Sequence, residues 1–223
     1  DQEKADYDNV VAQLKDRYGN KVIPIQYPVA CGPSFNQVVD VLKMKLYRWK
    51  PEGGVPDVLE IPEEEMEKAM ELHQALVEAS AENDETLMDK FFDQGTLTED
   101  EMRDGIRQGL LARGMFPVFC VCAGRDMCVR RTLEFLGNVV PCVDKMPKMV
   151  TVDGEEVAQD VNGPTSLFFF KTTVEPHIGE VSYFKVMSGK VKEGDDLLNA
   201  DRGSKERIAQ IFAVAGQTRN KVD

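Results

Sequence analysis

The sequence predicts an α/β unit followed by an all-β unit with the character of a small barrel. Three observations carry this. From Thr98 to Val139 the patterning runs helix, strand, helix, the alternation of an α/β layer. Beyond Pro164 it turns to strands alone. The stretch Gly179-Glu-Val-Ser-Tyr-Phe-Lys-Val-Met-Ser-Gly-Lys-Val-Lys-Glu-Gly-Asp-Asp-Leu-Leu-Asn199 then reads as strand, turn, short strand, turn, strand. Val181, Tyr183 and Lys185 fall on one face, and Ser182, Phe184 and Val186 on the other. Ser188-Gly189 and Glu193-Gly194-Asp195 supply the turns, because glycine reaches positive φ at little cost.

The elements run in this order. Residues 6–18 carry an apolar stripe of Tyr7, Val10, Val11, Leu14 and Tyr18 before Gly19, the pattern of a helix with its stop. Lys21–Val29 is an extended segment interrupted by prolines. Val41–Trp49 and Val55–Glu60 flank the turn Pro51–Gly54 and predict a hairpin. Pro62 opens a helix to about Asn83, with Met66, Ala69, Met70, His73, Leu76 and Val77 facing inward. Glu64, Glu67, Glu71 and Glu78 lie on its opposite side. A second helix covers about Asp84–Phe92. A third opens at Thr98-Glu-Asp-Glu101, a capping box, and ends near Gly114. A buried strand, Phe116–Cys122, precedes a helix over Asp126–Val139. Pro141–Pro164 reads as an irregular linker. Strands are then predicted at Ser166–Thr172, Val181–Val186, Asp196–Asn199 and Glu206–Phe212, about four in all, which leaves open sheet edges.

Composition excludes several classes. No run of about 18 apolar residues exists, so no transmembrane helix is expected. The polar start Asp1-Gln-Glu-Lys-Ala-Asp6 has none of the features of a secretory signal. No initiating Met is present, so the chain is expected to begin inside a longer protein. The net charge of −12 is concentrated. Between Asp57 and Asp104 there are 17 Asp and Glu against 3 Lys and Arg, a net of −14, leaving +2 elsewhere. Such a block repels nucleic-acid backbones and attracts basic partners. Glu64, Glu67 and Glu71 recur at i, i+3, i+7 and share one exposed face.

Five cysteines without a signal segment point to reduced thiols. Cys120, Cys122 and Cys128 fit no usual zinc spacing, and His73 and His177 are remote in sequence. Small buried thiols are the expectation, with no metal. A catalytic role for His177 would need a partner that the sequence does not supply. Arg202, Lys205 and Arg207 form a small basic cluster.

The order Val-x-Ser-Gly followed by x-Val-x-x-Gly-Asp, at Val186–Asp195, closely resembles the second domain of the translational GTPases. Three further blocks extend the resemblance to an internal piece of bacterial elongation factor G. Asp6–Gly19 followed by Val22-Ile-Pro-Ile-Gln-Tyr-Pro28 resembles the segment downstream of the Asn-Lys-x-Asp guanine motif, with Asp1 as the last residue of that motif. Phe35–Tyr47, Glu71–Ser80, Leu87–Phe92 and Leu97–Met102 resemble the family's insertion subdomain. Pro117–Ala123 occupies the place of the strand that ends in Gly-Ser-Ala. Here that triplet is Val121-Cys122-Ala123, a departure expected of a divergent paralogue.

The resemblance implies a domain order. Residues 1–34 would end a P-loop GTPase domain of the α/β class, and 35–114 would form its α+β insertion. Residues 115–140 would give its last strand and helix, 141–163 a linker, and 164–223 part of an all-β translation-factor barrel. It implies a ribosome-dependent GTPase that promotes translocation of tRNA and mRNA in the cytoplasm, with GTP or GDP and magnesium. Asp1, Cys122 and Ala123 would sit at the guanine base, and Glu64, Glu67 and Glu71 would meet the basic ribosomal stalk protein. The barrel would approach ribosomal RNA, and no membrane is implied. A release-factor-recycling or ribosome-protection GTPase, or a non-enzymatic acidic binding module, are the alternatives. The chain has no Gly-x-x-x-x-Gly-Lys phosphate loop. Alone it is expected to be inactive, to hold no cofactor, and to bind guanine nucleotides only weakly.

Overall fold

The segment predicted as one strand divides at Ile25, after Pro24, and the halves enter different sheets. The computed structural model describes residues 1–142, 145–216 and 218–222. The chain divides into two units, Asp1–Met146 and Pro147–Asp223. In the first, β1 (Val22–Pro24) pairs in parallel with β6 (Phe116–Val118). β2 (Gln26–Pro28) instead opens a four-stranded antiparallel sheet in the order β2, β3 (Gln37–Asp40), β4 (Lys45–Arg48), β5 (Asp57–Leu59). Ile25 joins the two sheets. Its N–H donates to Val118 O at 2.9 Å, and its carbonyl accepts from Val41 N–H at 2.9 Å.

The predicted hairpin around Pro51–Gly54 forms between β4 and β5. The strand expected from Val41 does not. Val41–Met44 is a turn, with Met44 at φ 50°, and β3 lies before it. β3 gave no alternating signal because Val38, Val39 and Asp40 are all buried.

Five helices surround these sheets among the described residues. α1 (Tyr7–Tyr18) is capped by Asp6, whose carboxylate accepts Asn9 N–H at 3.0 Å. Its predicted stripe is only partly covered: Tyr7, Val11 and Leu14 are half-buried, while Val10 and Tyr18 are exposed. α2 (Glu63–Ala81) buries Ala69, Leu76, Val77, Ser80 and Ala81. His73 donates from Nδ1 to Val41 O at 2.8 Å. Met66 and Met70, expected inside, are 37% and 60% exposed, while Ala69 between them is fully buried. α3 (Glu85–Gln94) is capped by Asp84, and α4 (Glu99–Leu111) carries the predicted capping box in full. Gly105 of α4 lies against α2. A Cβ there would stand 2.2 Å from Ser80 O, so the two helices cross backbone to backbone.

The strand expected over Phe116–Cys122 ends at Val118; Cys122 makes only an isolated bridge to Met127. The helix expected from Asp126 begins at Val129 (α5, Val129–Val139). Asp126 at φ 50° and Cys128 at φ 61° are left-handed and cannot continue a helix. One buried ion pair ties α5 to the sheet. Asp40 is fully buried, and its Oδ2 accepts from Arg131 Nη2 at 2.6 Å and Nε at 3.0 Å.

In the second unit, the predicted linker contains a short hairpin, β7 (Met149–Val150) with β8 (Glu156–Val157). Six strands come next among the described residues, rather than about four. They are β9 (Ser166–Glu175), β10 (Gly179–Ser188), β11 (Asp196–Asn199), β12 (Ser204–Arg207), β13 (Ile211–Ala215) and β14 (Thr218–Val222). They pair as three antiparallel hairpins, β9 with β10, β11 with β12 and β13 with β14. The single strand expected over Glu206–Phe212 breaks at 208–210. There Ile208 exchanges bonds with the other turn: Gly194 N–H donates to Ile208 O, and Ile208 N–H to Asp195 O.

The strand-turn motif itself is corrected in two places. A register shift between Tyr183 and Phe184 interrupts the alternation, so both rings are half-buried. Residues 190–192 form no middle strand. The Ser188-Gly189 turn stands as predicted and seats on the preceding loop. Ser188 Oγ donates to Asp160 O at 3.1 Å, and Gly189 N–H to the same carbonyl at 2.8 Å. Gly189 has φ 70°, and a Cβ would lie 2.7 Å from Thr165 Cα. No helix among the described residues is long and apolar enough to cross a membrane.

Two outcomes are expected. Asp40→Asn leaves the buried Arg131 with only Glu134 as a charged partner. Urea unfolding should show a loss of about 3 kcal/mol, whereas Asp40→Leu with Arg131→Met should lose less. Glu101 is the second. The Lys90 ammonium at 2.5 Å, then the Thr98 N–H and hydroxyl, hold its carboxyl at about 2, below its ordinary 4.5. The folded form therefore binds this proton less readily than the unfolded chain. The stabilisation is complete above about 4.5 and lost as pH falls toward about 2. NMR titration of the Glu101 carboxyl should give that midpoint, and Lys90→Met should raise it.

Candidate functional site

Two of the three residues expected at a nucleotide base, Cys122 and Ala123, lie in one closed loop that runs from Cys122 to Met127. Cys122 N–H donates to Met127 O at 3.1 Å, and Met127 N–H returns to Cys122 O at 3.0 Å. Inside this bridge Ala123–Arg125 makes a 3₁₀ turn, with Asp126 N–H donating to Ala123 O at 3.2 Å. The loop has a hydrophobic floor. Cys122, Met127, Cys128 and Cys120 cluster with Phe35, Val38, Tyr47 and Trp49.

The loop gives its two predicted members different duties. Cys122 is buried, and its amide is spent on the bridge to Met127. Ala123 is exposed. As the first residue of a 3₁₀ turn, its N–H has no acceptor within the turn. The residues therefore fit a base through the Ala123 amide, with Cys122 as support. Asp1 is exposed; its carboxylate accepts Gln2 Nε2 at 3.5 Å. No hydrogen bond joins Asp1 to Cys122 or Ala123 among the described residues. Arg125 within this loop, and Gly53 and Trp49 beside it, carried no site signal in the sequence beyond the Gly53-Gly54 pair.

The buried thiols stand as expected. Cys120, Cys122 and Cys128 are buried and free, while Cys31 is half-buried and Cys142 exposed. Burial, reinforced by the Asp40 charge, pushes the Cys128 thiol up to about 12. Burial raises Cys120 as well, and its Sγ lies 3.6 Å from Gln26 O.

The acidic face lies on α2. Glu64, Glu67 and Glu71 are all exposed. The three cations of the acidic block are engaged elsewhere. Lys68 pairs with Asp8 at 3.8 Å and sits over the Tyr27 ring at 4.6 Å. Lys90 pairs with Glu101, and Arg103 with Glu99 and Asp100. Among the described residues no ion pair reaches Glu64, Glu67 or Glu71, so their charge faces solvent. Exposed Met66 and Met70 stand beside them.

In the second unit, Lys205 and Arg207 share one exposed face of β12, and Arg202 lies exposed in the turn before it. His177 occupies the β9–β10 turn at φ 67° and borders an open groove with Tyr183, Phe184, Phe212 and Arg219.

The class that emerges is a mixed α/β unit, with antiparallel strands and an acidic helix, in front of an all-β unit of paired hairpins. Comparison with known proteins gives the second unit a family likeness. Residues 164–223 match the family described as Elongation factor G domain 2. A crystal structure of a Thermus thermophilus protein superposes on 99% of this chain with a TM-score of 0.74 and 24% identity, a likeness of fold. This chain spans 31% of that chain's length. Residues 164–223 are thus similar to the second domain of elongation factor G, as the motif at Val186–Asp195 indicated.

Thiol labelling with a maleimide at pH 8 should follow exposure. Cys142 should react first and Cys31 next. Cys120, Cys122 and Cys128 should be blocked until denaturant is added.

Proposed function

We propose that this chain is the rear of the nucleotide domain, the insertion and the second domain of a ribosome-dependent GTPase similar to elongation factor G. The protein would promote translocation of tRNA and mRNA. The observation that carries the reading is the elongation factor G domain 2 match over residues 164–223, behind an α/β unit with an acidic helix. GTP and magnesium supply the hydrolysis chemistry when bound to the longer protein. This chain's part is to hold and to relay. The Ala123 amide would donate to the guanine O6, and Asp1 would accept from the base N1–H and exocyclic amine. The exposed Glu64, Glu67 and Glu71 would receive the basic domain of the ribosomal stalk protein. Lys205, Arg207 and Arg202 would approach ribosomal RNA phosphates.

Translocation on programmed ribosomes, with and without GTP, tests the whole. The full-length protein should advance the message only with GTP, and failure to do so would remove the reading. The chain by itself should bind guanine nucleotides more weakly than about micromolar. The acidic face has its own test. Glu67→Lys with Glu71→Lys should slow stalk-dependent turnover by about 3- to 10-fold at low salt, through the association rate. The deficit should shrink as ionic strength rises, because exposed charges are screened.

A further inference from the structure

The tip of the β4–β5 hairpin lies directly on the Cys122–Met127 loop. Gly53, at φ 82°, has its α-carbon so close to Arg125 that a Cβ would stand 1.6 Å from the Arg125 carbonyl oxygen. No rotamer change relieves a contact with backbone. The approach is fastened on both sides. Arg125 Nε donates to Pro51 O at 3.2 Å. Within the hairpin tip, Gly53 N–H donates to Lys50 O at 2.9 Å, and Trp49 Nε1 to Gly54 O at 3.1 Å. Tyr47 of β4 and Trp49, just past its end, stack at 6.2 Å and enter the same apolar cluster as Cys122, Met127 and Cys128. The hairpin thus holds the loop from above with its turn and from beneath with two rings.

We propose that the contact of the hairpin tip with Arg125, through Gly53 and Pro51, is a clamp that sets the position of the Ala123 amide, with Gly53 and Arg125 as the positioning residues. On the guanine reading given above, on which this rests, the clamp governs how well the base is held. Neither Gly53 nor Arg125 touches the base. They act through the loop: Arg125 N–H donates to Cys122 O at 3.3 Å, and Ala123–Arg125 is one continuous turn.

Gly54 provides the control. It has φ 90°, so Gly54→Ala brings the same kind of backbone strain as Gly53→Ala, but its Cβ would meet nothing within 4 Å. The whole chain is labelled with a maleimide, and the modification of Cys122 and Cys128 is followed by peptide mass spectrometry. Gly53→Ala should speed both by at least roughly tenfold, with Gly54→Ala within about twofold of the parent. Arg125→Ala removes the Pro51 hydrogen bond without a clash and should give about threefold. It decides the matter if Gly53→Ala does not fold. Equal rates in the Gly53 and Gly54 variants, or no change in Arg125→Ala where that variant decides, would overturn the clamp.

The second measurement is affinity of the full-length protein for GDP and for ADP. Gly53→Ala should lower the preference for GDP over ADP by about tenfold, and Gly54→Ala should not. An unchanged preference beside accelerated labelling would overturn control of the base by the clamp. A parent protein with no preference for GDP would instead overturn the guanine reading, and labelling would still decide whether the clamp exists.

Discussion

The first unit depends on the ion pair between Asp40 and Arg131. Both groups are withdrawn from water, at a cost of several kcal/mol each. What offsets this is full use of the carboxylate. Oδ2 accepts both Arg131 bonds and one from Gln26 Nε2 at 3.3 Å, and Oδ1 accepts Lys43 N–H at 2.9 Å. Glu134, one turn along α5, takes Arg131 Nη1 at 2.5 Å and Lys43 Nζ at 2.7 Å. Such a pair is a poor source of net stability and a strong constraint on register. Any other seating of α5 on β3 leaves a buried charge alone. Because the Cys122–Met127 loop runs straight into α5, its location follows from that register.

The helices were legible because their signals are local. Capping residues Asp6, Asp84 and Thr98 lie within three residues of the amides they serve, and the 3.6-residue period survives where one face is buried. The first sheet was less legible, and for a local reason too. With both faces of β3 covered, period-two alternation vanishes. Arg125 against Pro51 was invisible: 74 residues separate them, and a lone arginine after a strand announces no acceptor. The candidate base loop was found only through its resemblance to a family triplet. Its division of labour, with Cys122 closing the bridge and Ala123 left to donate, required the backbone path.

The second unit reverses that balance. Its family signature sits in turns, and turn chemistry is readable residue by residue. Ser188-Gly189 is needed because a hydroxyl and an amide both converge on Asp160 O, while Thr165 leaves no space for a side chain. The break between β12 and β13 was missed because Ile208-Ala209-Gln210 contains neither glycine nor proline. It arises from pairing with the Gly194-Asp195 turn, a contact made across the unit rather than written into the three residues.

The acidic face and the base loop are joined by packed structure within the first unit. α2 is fixed to the sheet by Tyr27, whose hydroxyl donates to Glu65 O at 3.2 Å, by Lys68 over the Tyr27 ring, and by His73 on Val41 O. The same sheet contains β4, which runs on through Trp49 to the Gly53 turn. Contiguity alone is not coupling, since most packed residues transmit little. The final link differs in kind. At Gly53 two backbones meet without an intervening side chain, so a displacement of the hairpin tip has no rotamer in which to dissipate.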